Sequence, residues 1–172
     1  MVEDLLVIPD IEGAKLNLIL QEVNLADSIN DAVLSTKHKA EREILINIPD
    51  NIPDVIADTD RLEQVFINLI ENAYKYSYEN TPISIDVTHE KHNDKQIAVI
   101  KISNSSDYIP HDKLQKLFGK FTRIDDKTTR TTRGTGLGLF IVKGLVLAMN
   151  GAIDLESGKD NIFSVIIKLP LA

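Results

Sequence analysis

Between residues 58 and 77, Leu62, Val65, Phe66, Leu69, Ile70 and Ala73 fall at i, i+3, i+4, i+7, i+8 and i+11, the spacing of one helical face. A helix patterned this way has to press that face into a core, and Asp58 or Thr59 supplies its N-cap. Beside it runs a second, polar stripe: Asn68, Asn72 and Lys75, at i, i+4 and i+7. Two carboxamides and an ammonium on one face suit a metal–nucleotide site, because Asn oxygens are hard, neutral ligands for Mg2+ and Lys is a point charge for phosphate. Taken alone, the same stripe also suits an ordinary solvated helix face.

Shorter signals flank this helix. In the segment 1–24, residues 4–8 end a helix, 9–13 break it, and 16–23 form a mixed apolar stretch. Asn24 caps a helix expected over 25–42, with Leu25, Ile29, Ala32, Val33 and Ala40 on its buried side. A strand is expected at 44–48. Ile83, Ile85 and Val87 alternate with polar residues, and alternation resumes over 97–102 after His92-Asn93-Asp94, the pattern of a hairpin. Residues 110–118 suit a short helix, 122–133 a polar, basic, threonine-rich mobile loop, and 137–149 a strongly apolar helix. Strands near 152–156 and 162–169 follow. Ile-Pro-Asp begins at 8, 48 and 52 without self-similar surroundings, which marks turn chemistry and no repeat. Long helices mixed with meandering strands make the fold class α+β, a two-layer sandwich.

With 43% hydrophobic and 26% charged residues, the 172-residue chain has one domain's worth of core and lies outside the disordered and collagen-like classes. Its net charge of -7 has the wrong sign for a surface that tracks a phosphate backbone, so nucleic acid is not an expected partner. The absence of cysteine excludes disulfides and thiolate zinc sites and agrees with a cytoplasmic location. Residues 1–8 lack the basic start and apolar stretch of a signal peptide. The apolar segment 137–149 is interrupted by Gly138, Lys143 and Gly144 and is too short to span a bilayer, so no membrane contact is expected.

Three alternate glycines in Gly134-Thr135-Gly136-Leu137-Gly138-Leu139 lead straight into the apolar helix. Exposed amides at a helix N-terminus, with no side chains in the way, make an anion site. No Lys-Ser or Lys-Thr follows, as a P-loop requires, and a basic loop rather than a strand precedes, unlike a dinucleotide fingerprint. By itself the cluster is equally well explained as helix packing with a hinge.

In this order, Asn68-Leu-Ile-Glu-Asn72-Ala-Tyr-Lys75-Tyr76-Ser77 and Gly134-Thr-Gly-Leu-Gly138-Leu resemble the N box and second glycine box of sensor histidine kinases. Leu117-Phe118-Gly-Lys-Phe121-Thr-Arg123 resembles the family's phenylalanine box, and Ile109-Pro110 the end of its first glycine box. The resemblance extends from about residue 5 to residue 169.

It implies the Bergerat-type ATP-binding fold, about three helices over a mixed, mainly antiparallel sheet, with ATP and Mg2+ between the helix of Asn68 and the loop before Gly134. By that resemblance Asn72 holds the Mg2+, Asn68 and Lys75 contact phosphates, and Tyr76 lines the nucleotide. Arg123 reaches the terminal phosphate, which makes Asn68, Lys75 and Arg123 the catalytic set. The amides of Gly134, Thr135, Gly136, Leu137 and Gly138 cradle the phosphates. Arg133, with Lys127 and Arg130, belongs to a lid over 122–133, and Asn104, Tyr108 and Ile109 border the base. The fold's ATP hydrolases carry a Glu where this chain has Asn68, because a carboxylate takes a proton from the attacking water. With Asn there, the γ-phosphate is left for a nucleophile delivered from elsewhere, a histidine in the kinases. Glu71 faces differently around the helix and is no substitute.

The chain departs from the family in its first glycine box. Where Asp-x-Gly-x-Gly is usual, it has Asn104-Ser105-Ser106-Asp107-Tyr108. Replacing the Asp that accepts from the adenine amino group should cost about 1 kcal/mol. A flipped Asn104 amide could instead donate to a guanine carbonyl, which would relax base choice. Ser106 and Tyr108 remove the freedom of positive φ, and Tyr108 either stacks on the base or fills its pocket. None of His38, His89, His92 and His111 sits where the family's phosphoacceptor does. Residues 1–24 are therefore expected to be the tail of a dimerisation helix and its linker, and 25–172 the catalytic ATP-binding domain. An upstream dimerisation and phosphoacceptor domain, a response regulator and a homodimeric whole protein are the implied partners; the sequence leaves membrane anchoring of that protein open. A degenerate nucleotide-binding or protein-docking module without phosphotransfer is the competing reading.

Overall fold

The computed structural model describes all residues except 1, 14, 38–41, 93–94 and 123–134. Its order is α1 (Val2–Glu12), β1 (Gln21–Val23), α2 (Leu25–Thr36), β2 (Ile44–Asn47), β3 (Val55–Ala57), α3 (Thr59–Tyr76), β4 (Ile83–His92) and β5 (Lys95–Ser105), then α4 (His111–Leu114), a 3-10 turn over Gln115–Phe118, α5 (Gly138–Ala148), β6 (Ala152–Ser157) and β7 (Ile162–Pro170). All six residues of the expected apolar stripe on α3 are buried. Asp58 caps this helix by accepting the Arg61 N–H at 3.1 Å, and its other carboxylate oxygen accepts the Ile19 N–H at 2.8 Å. One side chain thus starts α3 and fastens the preceding segment to it.

The main sheet has the order β2-β4-β5-β7-β6, with β2 parallel to β4 and every other pair antiparallel. Strand alternation sends Ile83, Ile85, Val87, Ala98, Ile100, Ile102, Val165, Ile167 and Leu169 into the core, where the buried faces of α2, α3 and α5 meet them. The other face is mixed: Ile97, Val99 and Ile166 share it with Ser103 and Ser164, which are joined by a 2.8 Å hydrogen bond, and with Lys101, which pairs with Glu156 at 2.9 Å. This is the expected two-layer α+β sandwich. Among the described residues no helix is long and apolar enough to cross a membrane.

Several boundaries differ from the sequence reading. Helix α1 runs through Pro9, so the break falls at Gly13, and the first Ile-Pro-Asp is helical. Proline removes one helical hydrogen bond, but packing compensates: Val7 is buried and Ile11 lies against Gly144 of α5. Helix α2 stops at Thr36; Ala40 lies outside the described residues, as do residues 93–94 of the expected hairpin turn. Strands β1 and β3 form a two-stranded antiparallel sheet that no periodicity announced, since three residues are too few to show alternation.

Candidate functional site

On the polar stripe of α3, Asn72 meets the first residue of α5. Asn68, Asn72 and Lys75 are half-buried. A Cβ built on Gly138 would stand 3.2 Å from Asn72 Nδ2 and 3.5 Å from Oδ1, so a side chain there would make the carboxamide give way by a few tenths of an ångström. Among the described residues no side chain caps α5, and buried Leu137 pins the turn to the core. The Leu137 N–H donates to Thr135 Oγ1 at 3.4 Å. Gly136 has φ +69°, and a Cβ there would lie 2.8 Å from the carbonyl carbon of Phe121, itself left-handed at φ 59°. This backbone-to-backbone seat demands the glycine. Lys75, in the last turn of α3, holds its ammonium 4.8 Å from the centre of the Tyr76 ring, where the helix dipole also favours a cation.

The far end of the site is stitched to the exit of α3. The Tyr78 N–H donates to the Ser105 carbonyl at 2.8 Å, and the Tyr78 hydroxyl donates to Asp107 Oδ1 at 2.5 Å. That bond to a carboxylate raises the Tyr78 pKa. Ser106 N–H donates to Asn161 O at 2.9 Å, and Ile109 N–H to Ser157 Oγ at 2.9 Å. Neither Ser106 nor Tyr108 is among the residues with positive φ. The segment therefore needs none of the freedom that its missing glycines would have given. Tyr108 is 44% exposed and does not fill the interior, whereas Asn104 is buried and its Nδ2 has no hydrogen-bond partner among the described residues.

The structure thus brings Asn72 to Gly138, with Asn68, Lys75 and Tyr76 on the same helix and Thr135, Gly136 and Leu137 on the opposing turn. Asn104, Tyr108 and Ile109 stand at the end of β5. Arg123, Arg133 and Gly134, like Lys127 and Arg130, lie outside the described residues. Sequence reasoning missed the Tyr78–Asp107 bond and the seat of Gly136 on Phe121. The donor set fits a nucleotide carrying a divalent cation. A neutral carboxamide adjoins an uncapped helix N-terminus, in space that one Cβ would fill, and a buried amide donor is left unmet.

Residues 57–172 match the family described as histidine kinase-, DNA gyrase B-, and HSP90-like ATPase. The chain belongs to that ATPase family. Among curated members it is 35% identical to sensor histidine kinase WalK of Bacillus subtilis over 153 residues, 88% of this chain and 24% of that protein. It is 34% identical to sensor protein VanSC of Enterococcus gallinarum over 125 residues, 73% of this chain and 33% of that protein. The chain therefore spans between about a quarter and a third of these ATPase-family relatives. The catalytic domain of histidine kinase ThkA superposes with a TM-score of 0.73 at 27% identity, covering 90% of this chain and 99% of that one. Full-length ShkA in complex with AMPPNP gives 0.82 at 22% identity, over 99% of this chain and 35% of that one, a likeness of fold.

Proposed function

We propose that this chain is the ATP-binding catalytic part of a protein-histidine kinase. The observation that carries the reading is Asn72, whose carboxamide lies against the start of α5 where a Cβ on Gly138 would crowd it. In this reading Asn72 Oδ1 is the protein ligand of Mg2+, Asn68 and Lys75 contact the phosphates, and the amides of 134–138 complete the cradle. Held at Asn72, Mg2+ would supply positive charge to offset that of the phosphates. Tyr76 lines the nucleotide, while Asn104, Tyr108 and Ile109 border the base. Arg123 and Arg133 are assigned to the terminal phosphate and the lid on the strength of the motif alone.

Asn68 decides the reaction class. A carboxamide cannot accept a proton from water at neutral pH, so this position supplies no base for hydrolysis. The γ-phosphoryl group is left in line for an imidazole nitrogen, which forms the new P–N bond as the bond to the ADP oxygen breaks. The acceptor histidine belongs to a dimerisation hairpin of the whole protein. On this reading residues 1–24 are the end of that hairpin with its linker, 25–172 the catalytic domain, a response regulator receives the phosphate, and the whole protein is a homodimer.

Calorimetry with Mg-ATP tests the site. Saturable, Mg2+-dependent binding is expected, weakened about tenfold or more in Asn72→Ala, on the scale of one lost ligand to charge. Absence of binding by the wild-type chain at saturating Mg-ATP would sink the proposal. Mg-GTP titrated in parallel reads whether the Asn104 amide serves as a donor to a 6-oxo base. In the whole protein, γ-labelled phosphate should appear on histidine.

A further inference from the structure

A cavity lies on the side of α3 opposite Asn72. Tyr74 follows Asn72 by two residues, which turns it about 200° around the helix axis, away from α5. It looks into a space of about 290 Å³ between α2, β2 and α3. The walls are largely apolar, with Val33 and Leu34 from α2 and Ile44 and Ile46 from β2, and exposed Asn30 of α2 also lines the space. Two buried polar atoms border this space, Tyr74 Oη and Arg42 Nη1, and neither has a hydrogen-bond partner among the described residues. Exposed Lys37 stands at the rim.

The guanidinium can only donate and the phenol can donate as well as accept, so an acceptor is the one chemistry that meets both. Burial raises the pKa of Tyr74 against the opposing charge of Arg42, so the phenol keeps its proton, and its capacity to donate, at neutral pH. The guanidinium adds a fixed positive charge, and together with Lys37 it makes a basic pocket in a chain whose net charge is -7. Water alone would answer the two donors but gains nothing from four aliphatic walls. One guanidinium nitrogen and one phenol match the two oxygens of a carboxylate, and the walls match an apolar body.

We infer that this cavity is a binding site for a small organic carboxylate, its head on Arg42 and Tyr74 and its apolar body against Val33, Leu34, Ile44 and Ile46. The site shares no residue with the nucleotide site, and its test does not depend on that assignment.

The chain, methyl-labelled at Ile, Leu and Val, is titrated by NMR with 4-phenylbutyrate, with the matched alcohol 4-phenylbutanol and with inorganic phosphate. Saturable shifts of the Val33, Leu34, Ile44 and Ile46 methyl groups by phenylbutyrate are expected. The alcohol should bind about tenfold more weakly, the loss expected for a charge-assisted hydrogen bond, and phosphate should leave these methyl groups unmoved. Arg42→Met should remove the preference for acid over alcohol, and Tyr74→Phe should weaken the acid several-fold; methyl signals elsewhere in the spectrum report that each variant folds. No saturable shift of the four residues, equal affinity for acid and alcohol, or an acid affinity indifferent to both substitutions would overturn the assignment. Phosphate binding as tightly as phenylbutyrate would do so too, by removing the role of the apolar walls.

Discussion

Asn72 and Gly138 meet so closely that a methyl group at 138 would touch the carboxamide nitrogen at 3.2 Å. Gly138→Ala should therefore weaken Mg-ATP binding several-fold or more by calorimetry. Thermal stability should change little, because Gly138 is the first residue of α5 and lies outside the helix interior where alanine gains about 1 kcal/mol over glycine. A simple packing role for Gly138 predicts the reverse, lost stability with affinity intact. The tyrosines offer a second test. Tyr74 and Tyr78 are both held above the ordinary value of 10.0, the first by burial and the second by its bond to Asp107. A phenol whose folded pKa exceeds its unfolded one contributes stability below pH 10 that is lost as pH rises through the folded value. Absorbance titration should show late-ionising tyrosines that disappear in Tyr74→Phe and Tyr78→Phe, and the alkaline fall in stability should flatten with them. At this scale the sequence was legible where placement follows helical spacing: Asn68, Asn72 and Lys75 lie half-buried along α3 beside its apolar stripe. It was silent where two residues meet across the fold: Tyr78 and Asp107 are 29 positions apart, and no pattern links them.

Among the elements, α3 was legible to within one residue at each end because its cap, stripe and length agree. Helix α1 was not, because Pro9 outweighed a packing surface that only the fold supplies. Strands β1 and β3 escaped for the opposite reason, being too short to carry a period. Asp58 serves two elements at once, capping α3 and holding the Ile19 amide. Asp58→Ala should cost about 1–2 kcal/mol, at the upper end for a helix cap. Urea denaturation measures this, and a loss within error of zero would show that neither bond matters.

Across the whole molecule, α5 touches both ends of the chain's organisation. Its first turn meets Asn72, and six residues on, about 9 Å along the axis, Gly144 lies where a Cβ would come 2.5 Å from Ile11 of α1. Gly144→Val should dislodge α1, seen as faster amide exchange over Val2–Glu12 with the strands of the sheet unchanged. Unaltered exchange there would show that α1 is not seated through Ile11. The sandwich itself was legible because hydrophobic alternation and helical stripes sum over many residues, whereas the seat of α1 is made by a few residues, Val7 and Ile11 with Gly144 among them. A helix that bears on a ligand site at one end and on a docked neighbour at the other makes the two equilibria reciprocal. If occupying the Asn72 end changes how firmly α1 docks, then docking α1 must change the affinity of that end by the same factor. Glycine at 144 would then be a setting on a balance whose other pan is the nucleotide.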